Sequence, residues 1–337
     1  MKKIITLGEI MLRLSPPNNN RILGIQNFQV NYGGGEANIA VALANYGIPT
    51  SFITKLPDNS LGNSAINHLR SFGVSIDSII KGGNRIGIYF FENGYSIRNS
   101  NIIYDRENSS IANANINEFN IEDILKGWDI LHVSGITLGI SQNGFEISKA
   151  FMKKAKEMGL EVSFDFNYRS KLWSLEEASI KIKEILKYVD IAFAGHLDFT
   201  NILGITPTTP LNATNIMEYY SDLYPKVMKE YNFKYILSSM RKVKSASNNT
   251  YTGLCFDGNK ILKSKTYSID IIDRVGTGDA YTAGFLCGYA KDMDLNYTLE
   301  FATASSVLKH TIPGDVTTMN IKEVESLFQD NNFEVSR

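Results

Sequence analysis

The chain has 337 residues, 43% of them apolar and 20% charged, with 34 Lys and Arg against 35 Asp and Glu. That composition suits a globular protein with a full core, of a size for roughly two average domains or one large α/β domain with an appendage. It excludes several classes: there is no basic excess to hold a nucleic acid backbone, two cysteines are too few for a disulfide framework or a four-thiolate zinc site, and no apolar run reaches the roughly 18 residues of a membrane span.

The chain opens on Lys2-Lys3 and then Ile4–Leu7, basic then apolar in the manner of a signal peptide. Glu9 and Arg13 cut the apolar stretch short, so a first β-strand is the better reading and a cytoplasmic protein is expected. Residues of about 10–33 alternate polar and apolar (Met11-Leu12-Arg13-Leu14) with no helix, and so do residues of about 84–112 (Ile102-Ile103-Tyr104). Such alternation suits an antiparallel sheet with one wet face. The two insertions are expected to meet as a small β-lid beside the main sheet, a decorative hairpin being the alternative.

Gly33-Gly34-Gly35-Glu36-Ala37-Asn38 then runs straight into a helical pattern. Consecutive glycines let a backbone approach a ligand closely, and Asn38 in the first turn could both donate to and accept from hydroxyl groups. A plain turn before a helix is the competing explanation. Helical patterns over 37–46, 60–72 and 142–158 each stop at a glycine (Gly47, Gly73, Gly159) placed as a C′ residue. Ser174-Leu175-Glu176-Glu177 reads as a capping box before another helix. Between these lie short runs at 130–133, 162–166, 191–194 and 235–237, branched or aromatic and apolar on both faces, as strands of a covered parallel sheet are. The expected architecture is α/β: a doubly wound sheet with helices on both faces in three layers, plus the small β-sheet lid, all of 1–337 forming a single domain.

Near the end of the chain stands Asp273-Arg274-Val275-Gly276-Thr277-Gly278-Asp279. Gly276 and Gly278 would free the backbone to aim successive N–H groups into an anion nest, and the following helix adds its positive dipole end. A carboxylate there, Asp279, is expected to stay ionised and to accept a proton from an alcohol near a bound phosphate. A simple Asp N-cap is the alternative. No G-x-x-x-x-G-K-[ST] or G-x-G-x-x-G segment occurs, which argues against a Walker-type phosphate loop and a nicotinamide fold. His68, His132, His196 and His310 are scattered without metal-ligand spacing, and Cys287 reads as inert packing.

Together the two glycine segments resemble the paired signatures of the ribokinase-type (PfkB) carbohydrate kinases, GG-x-x-x-N near the start and D-x-x-G-[AT]-G-D near the end. The resemblance implies a ribokinase-like fold, ATP and Mg2+ as cofactors, Asp279 as catalytic base, and an anion hole at Gly276, Thr277 and Gly278. Within the family the chain looks most like the branch acting on 2-keto-3-deoxygluconate (2-dehydro-3-deoxy-D-gluconate). The segments that carry this are residues 8–17, Ile102-Ile103-Tyr104-Asp105-Arg106, Ser134-Gly135-Ile136-Thr137, Asp165-Phe166-Asn167-Tyr168-Arg169 and Lys171-Leu172-Trp173. By that resemblance Gly34, Asn38, Tyr89, Tyr104, Arg106 and Arg169 would contact a sugar acid. Asn167, Arg169, Gly276 and Gly278 would approach the nucleotide phosphates. An acid adds a carboxylate to the hydroxyls of a sugar, and the planar fork of Arg fits that group.

One stretch departs from the pattern. Gly195-His196-Leu197-Asp198 stands where many relatives carry N-x-x-E, so Asp198 becomes the candidate to hold a Mg2+-bound water. Ser238-Ser239-Met240-Arg241 should lie near the nucleotide but lacks the usual glycines. The implied reaction is ATP-dependent phosphorylation of the keto-deoxy acid to its 6-phosphate. A neutral-sugar kinase for fructose or ribose, and a non-catalytic sugar-binding or regulatory protein, are the alternatives. Small molecules rather than nucleic acid or membrane are the expected partners, and an open lid edge could pair two copies into a homo-oligomer.

Overall fold

The computed structural model describes residues 1–211 and 215–329. In chain order the strands are β1 (Ile4–Leu7), β2 (Met11–Ser15), β3 (Gln29–Gly33), β4 (Thr50–Leu56), β5 (Ile79–Lys81), β6 (Gly87–Glu92) and β7 (Asn101–Asp105). After them come β8 (Ile130–Ser134), β9 (Glu161–Asp165), β10 (Ile191–Phe193), β11 (Tyr235–Val243), β12 (Asn248–Phe256), β13 (Ile261–Lys263) and β14 (Tyr267–Asp270). The helices are α1 (Gly35–Asn45), α2 (Ser60–Ser71), α3 (Ile121–Leu125), α4 (Gly135–Gly139) and α5 (Gln142–Glu157), then α6 (Leu175–Ile185), α7 (Ile216–Tyr231), α8 (Thr277–Ala290), α9 (Leu295–Lys309) and α10 (Ile321–Gln329).

The large sheet runs β13–β12–β11–β10–β9–β8–β1–β4–β5, with β14 added on β12. Every pair from β11 through β5 is parallel. On the other side β12 runs antiparallel to β11, β13 and β14. Alternation explains why the parallel strands are apolar throughout. Ile5, Leu131, Val133, Val162 and Phe164 pack with Phe151 of α5, Ile182 of α6 and Tyr224 of α7. Their neighbours Ile4, Ile130, Ile191 and Phe193 pack with Leu43 of α1, Phe285 of α8 and Phe301 of α9 on the opposite face. The three-layer expectation therefore has its physical basis in two separate cores.

Helix ends follow the glycine signals: Gly47, Gly73 and Gly159 take φ of 71°, 83° and 84°, the left-handed region where a Cβ is costly. The capping box on α6 is only half made. Ser174 accepts from the Glu177 N–H at 3.1 Å, but the Glu177 carboxylate instead pairs with Lys181 one turn on.

A second sheet, β3–β2–β6–β7, joins the two insertions. It is antiparallel within each hairpin, but the join between β2 and β6 is parallel, with Met11 opposite Gly87. The purely antiparallel expectation fails there because β6 is reached through β4, α2 and β5 rather than a tight turn. One face is covered, with Met11, Tyr89 and Phe91 packed on Ile102, Tyr104 and Val275. Val30 and Ile103 are exposed on the sheet.

Candidate active site

A cavity of ≈ 730 Å³ opens where β9 and β10 end, along the middle of β11 and beneath the covered face of the small sheet. Ligands collect at the carboxyl ends of parallel strands for a topological reason: neighbouring connections diverge there and leave a crevice. The candidates Gly34, Asn38, Tyr89, Tyr104, Arg106, Asn167, Arg169, Asp198, Gly276, Thr277, Gly278 and Asp279 all line this one cavity.

The two glycines of the C-terminal segment play unequal parts. Gly276 is the N-cap of α8 at φ 77°, and a Cβ on it would overlap the carbonyl oxygen of Asp315. Gly278 has ordinary helical geometry and a Cβ on it would meet no atom within 4 Å. The need for unusual backbone angles therefore falls on Gly276 alone, while Gly278 keeps the space in front of the helix clear. Among the described residues, the N–H groups of Gly276, Thr277, Gly278 and Asp279 find no acceptor in the protein. They form a concave set of donors at a helix start, the ordinary cradle for an anion.

Buried charges hold that cradle from behind. Asp273 accepts from the Val275 N–H (3.0 Å) and the Gly314 N–H (3.0 Å). It also pairs with Arg13 (2.6 Å), which reaches Asp315 at 3.1 Å and lies 4.6 Å from the Phe91 ring centre. Arg13 is 1% and Lys309 0% exposed, and Lys309 donates to the carbonyls of Ile312 (2.9 Å) and Gly314 (2.8 Å). Burying such charges is costly unless they are paired and hydrogen-bonded. Here Arg13 meets two carboxylates across the junction of the small sheet with the loop before α8, while Lys309 is held by backbone carbonyls.

Asp279 is the third residue of α8, not its cap, so the simple N-cap alternative does not describe it. Asn38 of α1 donates to its Oδ2 at 2.7 Å, while Oδ1 lies beside Gly35, whose absent side chain leaves room for a ligand. Burial raises the Asp279 pKa to about 6, against the opposing pull of Asn38 and Arg169. Desolvation, the largest influence, opposes the ionised form expected at the helix start. Near neutral pH the group is mostly ionised and of matched basicity for taking a proton from a hydroxyl.

Two further carboxylates share this field. Burial and the nearness of Asp279 and Asp198 raise Asp165 well above the carboxylate range. Burial lifts Asp198 to about 6, though its Oδ2 accepts from the Gly195 N–H at 2.7 Å. No group of three or more His, Cys, Asp or Glu among the described residues could by itself hold a metal ion. A Mg2+ ion bound through one or two carboxylates, waters and nucleotide phosphates needs none, so the oxygen donors of Asp165 and Asp198 fit it. Asn167, with φ 37°, follows Asp165 into the cavity and donates its N–H back to it at 3.1 Å.

On the small-sheet side the side chains are already engaged. Tyr89 donates its hydroxyl to Asp315. Arg106 gives Nε (2.9 Å) and Nη2 to Glu9, and its guanidinium sits 5.6 Å from the Tyr104 ring centre. The Gly34 N–H donates to Asn38 Oδ1 at 3.3 Å, and a Cβ on Gly34 would overlap the Glu9 carbonyl. Arg169 is exposed at the mouth. Glu9, Glu36, Asp315 and Lys309 carry weight that sequence reasoning did not give them. Glu36 alone had a local signal, an acid inside a glycine motif; it accepts from the Ser134 N–H and the Thr137 hydroxyl. Cys255 and Cys287 are buried thiols, and burial holds the latter's pKa up at about 12.

The profile of the pfkB family carbohydrate kinases matches residues 1–322. The chain belongs to the PfkB family of carbohydrate kinases. This kinase is 42% identical to the crystallised 2-dehydro-3-deoxygluconokinase of Thermotoga maritima, with a TM-score of 0.93 over 97% of this chain and 99% of that one. It is 28% identical to the 2-dehydro-3-deoxygalactonokinase of Haloferax volcanii over 99% of both chains. A 5-dehydro-2-deoxygluconokinase of Clostridium perfringens is 27% identical, covering 95% of this kinase and 91% of its own length. Among the described residues no helix is long and apolar enough to cross a membrane.

Proposed function

We propose that this kinase transfers the γ-phosphoryl group of ATP, with Mg2+, to the 6-hydroxyl of 2-dehydro-3-deoxy-D-gluconate. The observation that carries the reading is the placement of Asp279: one carboxylate oxygen held by Asn38, the other facing the space beside Gly35, next to four unengaged N–H groups. Asp279 takes the hydroxyl proton as the new O–P bond forms. The N–H groups of residues 276–279 stabilise the charge on the transferred phosphoryl oxygens, where preorganised donors contribute most. Mg2+, when bound, supplies charge neutralisation on the phosphates, and Asp165 and Asp198 are the side chains to hold its waters. Arg169 and the remaining N–H groups of Arg106 meet the substrate carboxylate; a neutral sugar would leave Arg169 without that anion.

The names of the similar proteins support a keto-deoxy sugar acid, and the 2-dehydro and 5-dehydro isomers are the pair to separate. Coupled measurement of ADP release over 2-dehydro-3-deoxygluconate, its galactonate epimer, 5-dehydro-2-deoxygluconate, fructose and ribose tests the assignment. Highest kcat/KM on 2-dehydro-3-deoxygluconate is expected. Preference for fructose or ribose would overturn it, and no turnover on any would leave a binding protein.

Two results should follow from the same chemistry. With the base titrating at about 6, kcat/KM should be level at neutral pH and fall as pH drops through that value, because protonated Asp279 cannot accept a proton. A pH profile flat down to about 5 would take the proton-accepting role from Asp279. For specificity, Arg106→Lys keeps a cation opposite the buried Glu9 but loses the planar fork. It should lower kcat/KM for the acid by roughly 10- to 100-fold, from the ~1.5–3 kcal/mol of a hydrogen bond to a charged group, and leave weak activity on fructose nearly unchanged. Equal losses on both would show that Arg106 serves only to brace the small sheet.

A further inference from the structure

Two arginines on the β11 side of the cavity are unaccounted for by the sugar and the base. Arg241 lies on the part of β11 that has run past β10, opposite Tyr251 of β12. Arg274 immediately precedes the loop that caps α8. Both line the cavity with Gly276, Thr277 and Gly278. Arg274 is half-buried, with Nη2 donating to the Ala246 carbonyl at 2.7 Å. Burial and the facing charge of Arg241 lower its pKa. Asp273, the carboxylate that opposes this, is already paired with Arg13. Among the described residues neither arginine forms an ion pair. Arg241 is exposed and Arg274 half-buried; two like charges near each other repel until an anion comes between them.

We infer that Arg241 and Arg274 form a cationic clamp for the terminal phosphates of the nucleotide, selecting nucleoside di- and triphosphates over monophosphates. The inference rests on the kinase reading above and adds to it the residues that read phosphate number. Position separates this anion from the sugar carboxylate. The sugar-side candidates hang from α1, the small sheet and, for Arg169, which is a candidate for both ligands, the loop after β9, whereas Arg241 belongs to β11 and Arg274 to the loop before α8. It also accounts for the missing glycines at 238–241: side-chain cations replace backbone donors as the partners of phosphate oxygens.

Calorimetric titration of the full-length wild type, Arg241→Gln, Arg274→Gln and the double variant with ADP and with AMP tests the clamp. Wild type should bind ADP at least about 10-fold more tightly than AMP. Each variant should weaken ADP by roughly 10-fold, as expected for one lost hydrogen-bonded charge, with AMP unchanged, and the double variant should bind the two nucleotides alike. In turnover, KM for ATP should rise while KM for the sugar acid stays. Wild-type ADP affinity in the variants overturns the inference. So does equal weakening of ADP and AMP, which would mean the arginines only support the 245–247 turn, or a rise in the KM of the sugar acid alone. If wild type phosphorylates no sugar acid, the substrate assignment falls, and the comparison of ADP with AMP still stands or fails by itself.

Discussion

Asp279→Asn should cut kcat by roughly 10²–10⁴-fold, the usual contribution of general base catalysis, while sugar binding survives. Asn keeps the size of the side chain, and its amide oxygen can still accept from Asn38. Stability should move in the opposite direction from activity. The folded-state pKa of about 6 exceeds the ordinary Asp value of about 3.9. The buried carboxylate therefore destabilises the fold fully above the folded pKa, and the penalty fades as pH falls toward the unfolded one. A neutral Asn escapes that penalty, so its melting temperature at about pH 7.5 should equal or exceed that of wild type, with the difference shrinking toward pH 4. Near-normal turnover would remove Asp279 from the chemistry. A large fall in melting temperature would mean that the lost activity reflects lost structure.

The second large effect separates the two glycines before it. Gly278→Val places a branched side chain in open cavity space at a helical backbone position. It should fold with a near-normal melting temperature and lose nearly all turnover, because the phosphate can no longer approach the N–H groups. Gly276→Ala should lose both. Its φ of 77° is strained for any side chain, and the new Cβ would overlap the Asp315 carbonyl. A destabilisation of at least about 1–3 kcal/mol is expected from the strained conformation alone. Thermal melts and single-turnover assays on both variants check the pair. An active Gly278→Val enzyme would mean that the phosphate lies elsewhere.

Much of the large sheet was legible because a strand covered on both faces has an unmistakable apolar run, and because helices ending in a left-handed residue announce it with glycine. The antiparallel edge was not. After Leu237, β11 continues through Ser238-Ser239-Met240-Arg241-Lys242, a polar run that local pattern reads as loop but that the pairing with β12 makes strand. β4, Thr50-Ser51-Phe52-Ile53-Thr54-Lys55-Leu56, is hard to read from sequence because its buried threonines and serine break the apolar run. At the site, motifs carried by glycine and by a neighbouring Asp were readable, since their chemistry is local. The supporting charges were not: Arg13, Asp273, Lys309 and Asp315 owe their role to contacts across most of the chain. The upward pull of burial on Asp279 was hidden for a similar reason, because burial is a property of the whole fold.

The buried charges behind the phosphate cradle also set the order in which this molecule can become an enzyme. Arg13 is synthesised well before its partners Asp273 and Asp315, which lie 260 and 302 residues further on. Until both arrive, the strand that carries Arg13 holds a cation with no counter-ion and cannot settle into a dry position. Contacts of such sequence separation form late, after their loop-closure entropy has been overcome. A growing chain can therefore assemble the parallel strands and their helices early, while the loop before α8 gains its full set of fastenings, including the pairs of Arg13 with both Asp273 and Asp315, only once residue 315 has been made. The ion pairs that make the site rigid thus tie completion of the phosphate cradle to contacts made across most of the chain.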